Sequence, residues 1–331
     1  MLTPVRARFA IGLNLVRVSS ALYNNASLFH VGYVKSATTY LQKNVFCAND
    51  LGMGLAAGEE HRAFLIQRFR NGNPYAFDKA KVRSEMIQAE ADLRAQGLVP
   101  VWSEETLLGD PDMSDYCGAA TCERLCSLEL PMKVLITIRE QRDFAYSSYS
   151  EYLKVDRHSL TEYIGTGTER QGYSPILEPH FLCYSDAVET WQNAVGAENV
   201  LVLPIELLRT APTEYLQTLS EFVGVPAPKS VPDARSNVAL GATASAAARR
   251  LNGLYVRSRL GRPASRSERV ARKAVRWVNR LAPSALDRAI SRRWVAQIAE
   301  RYDGVFTEDN ARLEALTGLE LGRFGYQSGN F

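Results

Sequence analysis

The sequence predicts an α/β fold of three layers, in which a central parallel sheet carries helices on both faces. Four short apolar runs indicate buried parallel strands, at residues 28–34, 98–102, 132–138 and 199–204. Stretches with helical patterning separate or follow them, at residues 59–70, 78–96, 143–154, 182–195 and 212–223. With 331 residues, 46% of them hydrophobic, the chain can enclose one sizeable core, so we expect a single domain over residues 1–331.

The first apolar run leads directly into a small, hydroxyl-rich turn that carries one lysine and opens a helix. The turn and the start of the helix are Lys35-Ser36-Ala37-Thr38-Thr39-Tyr40. Small side chains leave the backbone N–H groups accessible, the lysine adds a positive charge, and the first turn of a helix contributes its dipole. We therefore expect this segment to bind a phosphate-like anion.

One class of anion-binding loop is excluded by a single residue. The common ATP- and GTP-binding loop places a glycine directly before its lysine, whereas Val34 precedes Lys35 here. The pattern Lys-Ser-Ala-Thr-Thr-x-Leu instead resembles the 5′-phosphosulfate loop of sulfotransferases that use 3′-phosphoadenosine-5′-phosphosulfate (PAPS). The resemblance implies a nucleotide-binding fold of the P-loop-containing type, with residues 35–40 around the nucleotide and Lys35 stabilising the leaving group. An ordinary strand-turn-helix with a surface lysine is the alternative for this segment taken alone.

The second run ends at a pair of carboxylates. In sulfotransferases of this type a Ser-x-Glu-x-Leu element after the corresponding strand carries the catalytic base, and Ser103, Glu105 and Leu107 match it. The resemblance thus implies Glu105 as the base, with Glu104 as the alternative. A carboxylate in a partly desolvated cleft can have its pKa raised enough to accept a hydroxyl proton. Some family members use a histidine, but we expect His30, on the first strand, to be a packed structural residue.

The third run places an arginine at its carboxyl end, where open α/β sheets bind their ligands. Arg139, followed eight residues later by Ser147 on the next helix, resembles the 3′-phosphate-binding motif of the same family. A guanidinium can hold a phosphate through two parallel hydrogen bonds, and the serine hydroxyl adds another donor. The alternative for Arg139 is a surface salt bridge.

Three further expectations concern segments before and after the fourth run. The resemblance extends through this strand and the helix after it, where we expect Glu206 to brace the loop. The Gly- and Pro-rich stretch 165–179 is predicted to be a loop over the acceptor. Arg235 falls where the family places a late loop that closes over the nucleotide or acceptor. Its surroundings lack the glycine-rich motif of the phenol-sulfating enzymes, which favours the carbohydrate-directed or bacterial branches.

The positive charge of the chain is concentrated in one segment. Between residues 249 and 293 there are fourteen Lys and Arg against two acidic residues, although the whole chain carries a net charge of only +3. We expect a basic helical insertion over residues 240–300 that could contact an anionic surface. Nucleic acid is disfavoured because no nucleic-acid motif accompanies the charge. Residues 1–26 are an N-terminal extension without the uninterrupted apolar core of a signal peptide, so a cytoplasmic location, with peripheral membrane contact open, is the default.

Together these motifs favour a PAPS-dependent sulfotransferase. The resemblance implies PAPS as co-substrate, no requirement for a metal, and an acceptor hydroxyl or amine on a carbohydrate or glycolipid, with small alcohols next. Two other classes stay open at this point: a nucleotide kinase or NTPase that uses the same anion loop, and a nucleotide- or glycan-binding protein without catalysis.

Overall fold

The computed structural model describes residues 25–47, 51–228, 230–232, 240–252 and 265–327. Within this part of the chain, five parallel strands form one sheet in the order β2-β3-β1-β4-β5. Their bounds are β1 (Ser27–His30), β2 (Met53–Leu55), β3 (Val99–Ser103), β4 (Met132–Ile138) and β5 (Val200–Pro204). The chain leaves β1 toward β2 and β3 on one side and later returns to β4 and β5 on the other. The carboxyl end of β1 is therefore the point where the strand order reverses, the usual ligand position in such sheets.

Helices surround this sheet. Their bounds are α1 (Thr38–Asn44), α2 (His61–Leu65), α3 (Lys79–Ala95), α4 (Gly118–Ser127), α5 (Gln141–Tyr152), α6 (Leu160–Ile164), α7 (Tyr184–Val195), α8 (Ile205–Thr210), α9 (Pro212–Val223), α10 (Ala242–Asn252), α11 (Arg266–Leu281), α12 (Ser284–Arg301) and α13 (Thr307–Thr317).

Two separate hydrophobic cores lie on the two faces of the sheet. Side chains alternate between the faces along each strand, so Phe29 and Trp102 enter one core while their neighbours Leu28 and Val101 enter the other. The first core packs against α3, α4, α5 and α7, and the second against α1, α8 and α9. A sheet covered on both faces needs apolar residues at consecutive positions, which explains the continuous apolar runs in the sequence. The three-layer α/β/α prediction is confirmed.

The first predicted strand, 28–34, is too long by four residues. Pairing as a named strand ends at His30, although the Tyr33 N–H still donates to the Thr137 carbonyl at 2.9 Å. Gly32 lies so close to β4 that a Cβ atom there would stand 1.9 Å from Thr137 Oγ1 and 2.7 Å from Thr137 N. The apolar pattern continues past the strand because this loop is itself buried against β4.

The predicted helix at 59–70 is also corrected. It consists of a 3₁₀ turn, the short α2 and a π-helical turn at Ile66–Arg70, in which the Asn71 N–H donates to the Ile66 carbonyl. The wider π turn changes the helical phase, so one uninterrupted period does not describe the segment. The sequence prediction missed β2, because three residues are too few to show a strand pattern.

The carboxyl-terminal helices complete the layer on the first face. Trp294 of α12 packs edge-on against Tyr149 of α5, with ring centroids 5.2 Å apart. The helices α10 and α11 join through a small cluster that includes Ala244, Ala248 and Val275. Among the described residues, no helix is both long and apolar enough to cross a membrane. Residues 1–24, most of the expected N-terminal extension, and residues 253–264 of the basic segment lie outside the described part.

Candidate functional site

The loop between β1 and α1 has a backbone suited to an anion. Lys35 and Ala37 both adopt left-handed conformations, with φ of 64° and 66°, on either side of Ser36. Alternation of left-handed and ordinary residues curves the chain so that successive N–H groups point into one concavity. Such conformations disfavour bulky residues, which is consistent with alanine at position 37.

The hydroxyl side chains of this loop differ in exposure. Ser36 and Thr38 are buried, Thr39 is exposed, and the Tyr40 hydroxyl donates to the Pro232 carbonyl at 3.1 Å. Among the residues that the structure describes, the buried Ser36 hydroxyl has no hydrogen-bond partner. A buried donor without a partner is costly unless a ligand or water satisfies it, so Ser36 fits a group that accepts hydrogen bonds.

Lys35 is held by a carboxylate from α5. Its Nζ lies 3.2 Å from Oε2 of Glu151, and the same oxygen lies 2.7 Å from Nζ of Lys154. Burial alone would raise the pKa of Glu151, but the hydrogen bond from Lys154 and the charge of Lys35 hold it below its ordinary value. Glu151 is therefore ionised near neutral pH and keeps a counter-charge beside Lys35.

Arg139 lies against the same loop. From the end of β4 its Nη1 donates to the Lys35 carbonyl at 3.3 Å, and its Nη2 lies 3.8 Å from Oδ2 of Asp143. Its side chain is only 12% exposed, and within the described residues its Nε has no hydrogen-bond partner. Burial, together with the nearby charge of Arg209, lowers the pKa of the guanidinium, which nevertheless stays charged. The two predicted anion-binding elements thus meet in one place.

One face of α5 connects these cations. Asp143, Ser147 and Glu151 are four residues apart, so they lie along one side of the helix. Because Asp143 approaches Arg139 and Glu151 binds Lys35, Ser147 lies between the two cations along that face. The sequence prediction included Ser147 but missed Glu151, which continues the same four-residue spacing.

A second guanidinium approaches this end of the site. Arg209 of α8 places its Nη1 4.0 Å from Oδ2 of Asp143, which also faces Arg139. Glu206, one turn before Arg209, accepts from the Glu140 N–H at 3.1 Å and thereby braces the turn that follows Arg139. No sequence pattern indicates Arg209, because its distance from Asp143 depends on how α8 packs. Arg235, which the sequence predicts to lie in a late loop over the nucleotide or acceptor, is outside the described residues.

Glu104 and Glu105 occupy different environments. Glu104 is fully buried: its Oε1 accepts from the Thr106 N–H and hydroxyl, and its Oε2 accepts from Arg62 Nε at 2.7 Å. Glu105 is 24% exposed, and its Oε1 lies 3.7 Å from Arg62 Nη2. Burial raises the pKa of Glu105 above its ordinary value, although the Thr38 hydroxyl and the charge of Arg62 oppose the shift. Glu105 is therefore the freer carboxylate, and it lies beside the anion loop.

A polar cleft contains a further carboxylate. The cleft has a volume of about 560 Å³, and its lining includes Asp112, Tyr152, His158 and residues of the loop after α6. The Tyr163 hydroxyl donates to Oδ1 of Asp112 at 3.0 Å. Burial raises the pKa of Asp112 to about 7, so its protonation changes near neutral pH. The sequence prediction missed Asp112, which belongs to no motif. Residues of the 165–179 loop line this cleft, and the position of that loop over an acceptor stays a prediction.

Comparisons with known proteins bear on this arrangement. No protein-family model matches the chain. The bifunctional heparan sulfate N-deacetylase/N-sulfotransferase 1 of Xenopus tropicalis is 31% identical over 121 residues, covering 34% of this chain and 14% of that protein. Over these residues the chain is similar to a protein named as an N-sulfotransferase. The human counterpart is 28% identical over 121 residues, with the same coverage of 34% and 14%. The match thus spans about one seventh of the length of these curated relatives.

Solved structures give further similarities. The sulfotransferase from Alicyclobacillus acidocaldarius has a TM-score of 0.47 and 18% identity, covering 91% of this chain and 98% of that one. Mouse sulfotransferase SULT7A1 complexed with PAP has a TM-score of 0.30 and 14% identity, covering 89% of this chain and 92% of that one.

His30 is part of the framework beneath the site. Its Nδ1 lies 2.8 Å from Ser103 Oγ and its Nε2 lies 2.9 Å from Thr137 Oγ1, so it links β1 to both neighbouring strands. It is fully buried, and burial lowers its pKa from 6.5 to about 3. The ring is therefore neutral at pH 7, and both of its nitrogens are engaged by the framework.

The burial of His30 predicts a specific dependence of stability on pH. The unfolded chain binds a proton at His30 below about pH 6.5, whereas the folded chain does so only near pH 3. Folded-state stability is thus fully present above 6.5 and falls as the pH drops from 6.5 toward 3, by at most about 1.4 kcal/mol per pH unit. His30→Gln should remove this slope between pH 6 and pH 4.5, as measured by urea unfolding at several pH values.

The exposed His180 provides the control for this measurement. Its side chain is 73% exposed, so His180→Gln should leave the wild-type slope in place. Equal slopes for wild type and His30→Gln would show that His30 does not resist protonation in the folded state.

Proposed function

We propose that this chain is a PAPS-dependent sulfotransferase that transfers a sulfuryl group to a hydroxyl or amine of an acceptor. The observation that carries the proposal is the contact between Arg139 Nη1 and the Lys35 carbonyl. This contact brings the Lys35 loop and Arg139 together at the carboxyl edge of the sheet. A nucleotide phosphorylated at both the 5′ and 3′ positions would then meet one cationic group at each end. ATP has no 3′-phosphate, so it would leave the second cationic site without a phosphate to bind.

Each end of the donor has its own set of groups in this proposal. The amides of residues 35–39 and the buried Ser36 hydroxyl hold the 5′-phosphate, with Thr38, Thr39 and Tyr40 around them. Arg139 and Ser147 hold the 3′-phosphate, and Arg209 adds a second guanidinium on that side. Within the described parts of the chain, Arg139 Nε and Ser36 Oγ have no hydrogen-bond partner, and phosphate oxygens would satisfy both donors.

In this proposal, Lys35 stabilises the negative charge that develops during the transfer step. In an in-line transfer the acceptor oxygen or nitrogen forms its bond to sulfur as the bond from sulfur to the 5′-phosphate oxygen breaks, and negative charge grows on that oxygen. Lys35 Nζ can leave Glu151, whose side chain is 46% exposed, and bind the bridging oxygen. Glu151 keeps its partner Lys154 when this happens, so no unpaired charge results.

Glu105 is the proposed base. It would take the proton from the acceptor as the new bond to sulfur forms, and its raised pKa suits that role. Glu104 is the less suitable candidate because both of its carboxylate oxygens already accept hydrogen bonds inside the protein.

The acceptor would occupy the polar cleft, whose Asp112 lies near enough to Lys35 and Glu151 for their charges to influence its pKa. Its lining of hydroxyl, imidazole and carboxylate side chains suits the hydroxyl groups of a sugar, and Asp112 can accept a hydrogen bond from one of them. The curated relatives are named for heparan sulfate, which supports a carbohydrate as the acceptor here. A glycolipid or a small alcohol presents the same chemistry, so an acceptor panel containing all three classes would identify the substrate.

The nucleotide assignment makes a direct prediction. PAPS should raise the melting temperature of the protein, and ATP with magnesium should raise it much less, because only PAPS engages both anion-binding elements. Lys35→Ala should lower the rate of labelled sulfate transfer by about 10²–10³-fold, the usual cost of one lost transition-state donor. The measurements are thermal unfolding and transfer of labelled sulfate from PAPS to the acceptor panel.

Lys43 supplies the matched control, since it is an exposed lysine in the last turn of α1, the helix that follows the Lys35 loop. Lys43→Ala should keep full activity. Equal thermal shifts with ATP and PAPS would refute the nucleotide assignment, and full activity of Lys35→Ala would refute the role of the lysine.

A second prediction separates the two glutamates. Glu105→Gln should lower kcat by about 10²–10⁴-fold with little change in stability, because it removes only the proton acceptor. Glu104→Gln weakens the buried ion pair with Arg62, so it should lower the free energy of unfolding by about 1–3 kcal/mol while nucleotide binding persists. Steady-state kinetics and urea unfolding of both variants test this, and an unchanged kcat in Glu105→Gln would remove it as the base.

A further inference from the structure

The side chains of helix α11 form three different stripes, each of which is a row of residues along the length of the helix. Its inward stripe contains the buried Ala271 and Val275 and packs on α10 through Ala244 and Ala248. The two other stripes face solvent. The inward side of α11 is thus fixed by packing, whereas its two other sides form a surface that no other part of the described fold covers.

The first exposed stripe is apolar. Val270, Trp277 and Leu281 are 67%, 62% and 71% exposed, and with Ala274 they recur at intervals of three or four residues. That spacing places them on one line along the helix. Exposed apolar residues are ordinary when scattered, but an aligned set that includes tryptophan marks an interaction surface.

The second exposed stripe is basic and runs directly beside the first. Its members follow the same alternation of three and four residues and are all exposed: Arg266, Arg269, Lys273, Arg276 and Arg280. Four of them immediately precede a member of the apolar stripe in sequence. Glu268, the acidic residue of α11, is only 8% exposed and is paired with Arg272 at 2.6 Å, so it offsets little of this charge.

We propose that the exposed face of α11 docks on the surface of an anionic phospholipid bilayer. Charge complementarity selects a negatively charged partner, and the apolar stripe selects one with a hydrophobic interior just beneath its charges. Tryptophan is enriched at that interface, where its ring is partly buried among the headgroups. A soluble polyanion such as a sulfated glycan or a nucleic acid would pair with the cations but leave Val270, Trp277 and Leu281 in water.

The position of α11 relates this surface to the anion loop. Arg272 and Val275 line a cavity of about 300 Å³ whose wall also includes Glu151, the partner of Lys35. Arg276 of the basic stripe also lines this cavity, so the docking face reaches the cavity that the carboxylate holding Lys35 lines as well. The docking proposal does not depend on which reaction the site performs.

Vesicle binding by the full chain tests the proposal. The protein should sediment with vesicles of phosphatidylcholine and phosphatidylserine in a 3:1 ratio, much less with pure phosphatidylcholine, and less at high salt. Binding should fall at least tenfold in Trp277→Ala and in the double variant Lys273→Glu/Arg280→Glu. Of the four tryptophans, Trp102, Trp191 and Trp294 are buried, so a blue shift of fluorescence on adding vesicles reports Trp277.

Matched controls lie on other surfaces. Tyr75→Ala removes a fully exposed aromatic ring, and Lys81→Glu/Arg323→Glu reverses two charges away from α11. Both controls should bind vesicles within twofold of wild type. Binding to heparin that depends on the α11 cations but not on Trp277, without vesicle binding, would overturn the proposal in favour of a soluble polyanion. Equal loss of vesicle binding in the control variants would overturn it as well.

Discussion

The guanidinium of Arg139, whose side chain is only 12% exposed, joins the two loops at the carboxyl edge of the sheet on which the proposed site depends. Arg139, at the carboxyl end of β4, donates to the carbonyl of Lys35 in the loop after β1. That contact exists because β1 and β4 are adjacent parallel strands, so the loops that follow them leave the sheet at the same edge. Glu206 braces the turn after Arg139, and α5, which begins there, extends along the loop as far as Lys35. The two elements that we propose bind the phosphates are thus held together by this contact.

The exposure of each acidic partner distinguishes permanent ion pairs from exchangeable ones. Glu104 is fully buried and bound at both oxygens, so its pair with Arg62 belongs to the framework. Asp143 and Glu151, which face Arg139 and Lys35, are 60% and 46% exposed. Water can stabilise these carboxylates when their partners turn to a ligand, which makes displacement by phosphate oxygens inexpensive. In a site arranged this way, the cations would stay ordered and charged during entry of the proposed nucleotide.

Much of this arrangement could be predicted from the sequence because it depends on local patterns. The strand-turn-helix around Lys35 and the strand that delivers Arg139 are each contained in about ten consecutive residues, and both apolar runs are long enough to recognise. The neutrality of His30 and the choice between Glu104 and Glu105 depend instead on contacts with residues 42 to 107 positions away. Asp112 and Arg209 belong to no motif, and only packing brings them to the site. The loop at residues 31–34 resembled a strand because burial against β4 imposes the same apolar pattern.

The central claim is that one nucleotide spans both cations, and calorimetric titration with two nucleotides tests it most directly. Adenosine 3′,5′-bisphosphate and adenosine 5′-phosphate differ only in the 3′-phosphate. The wild-type protein should bind the bisphosphate more tightly by on the order of 10–100-fold, the usual value of hydrogen bonds to a charged group. In Arg139→Ala this advantage should largely disappear, and because the contact with the Lys35 carbonyl is lost as well, affinity for adenosine 5′-phosphate should fall, but by less than affinity for the bisphosphate. Equal affinities of the wild-type protein for the two nucleotides would contradict the account.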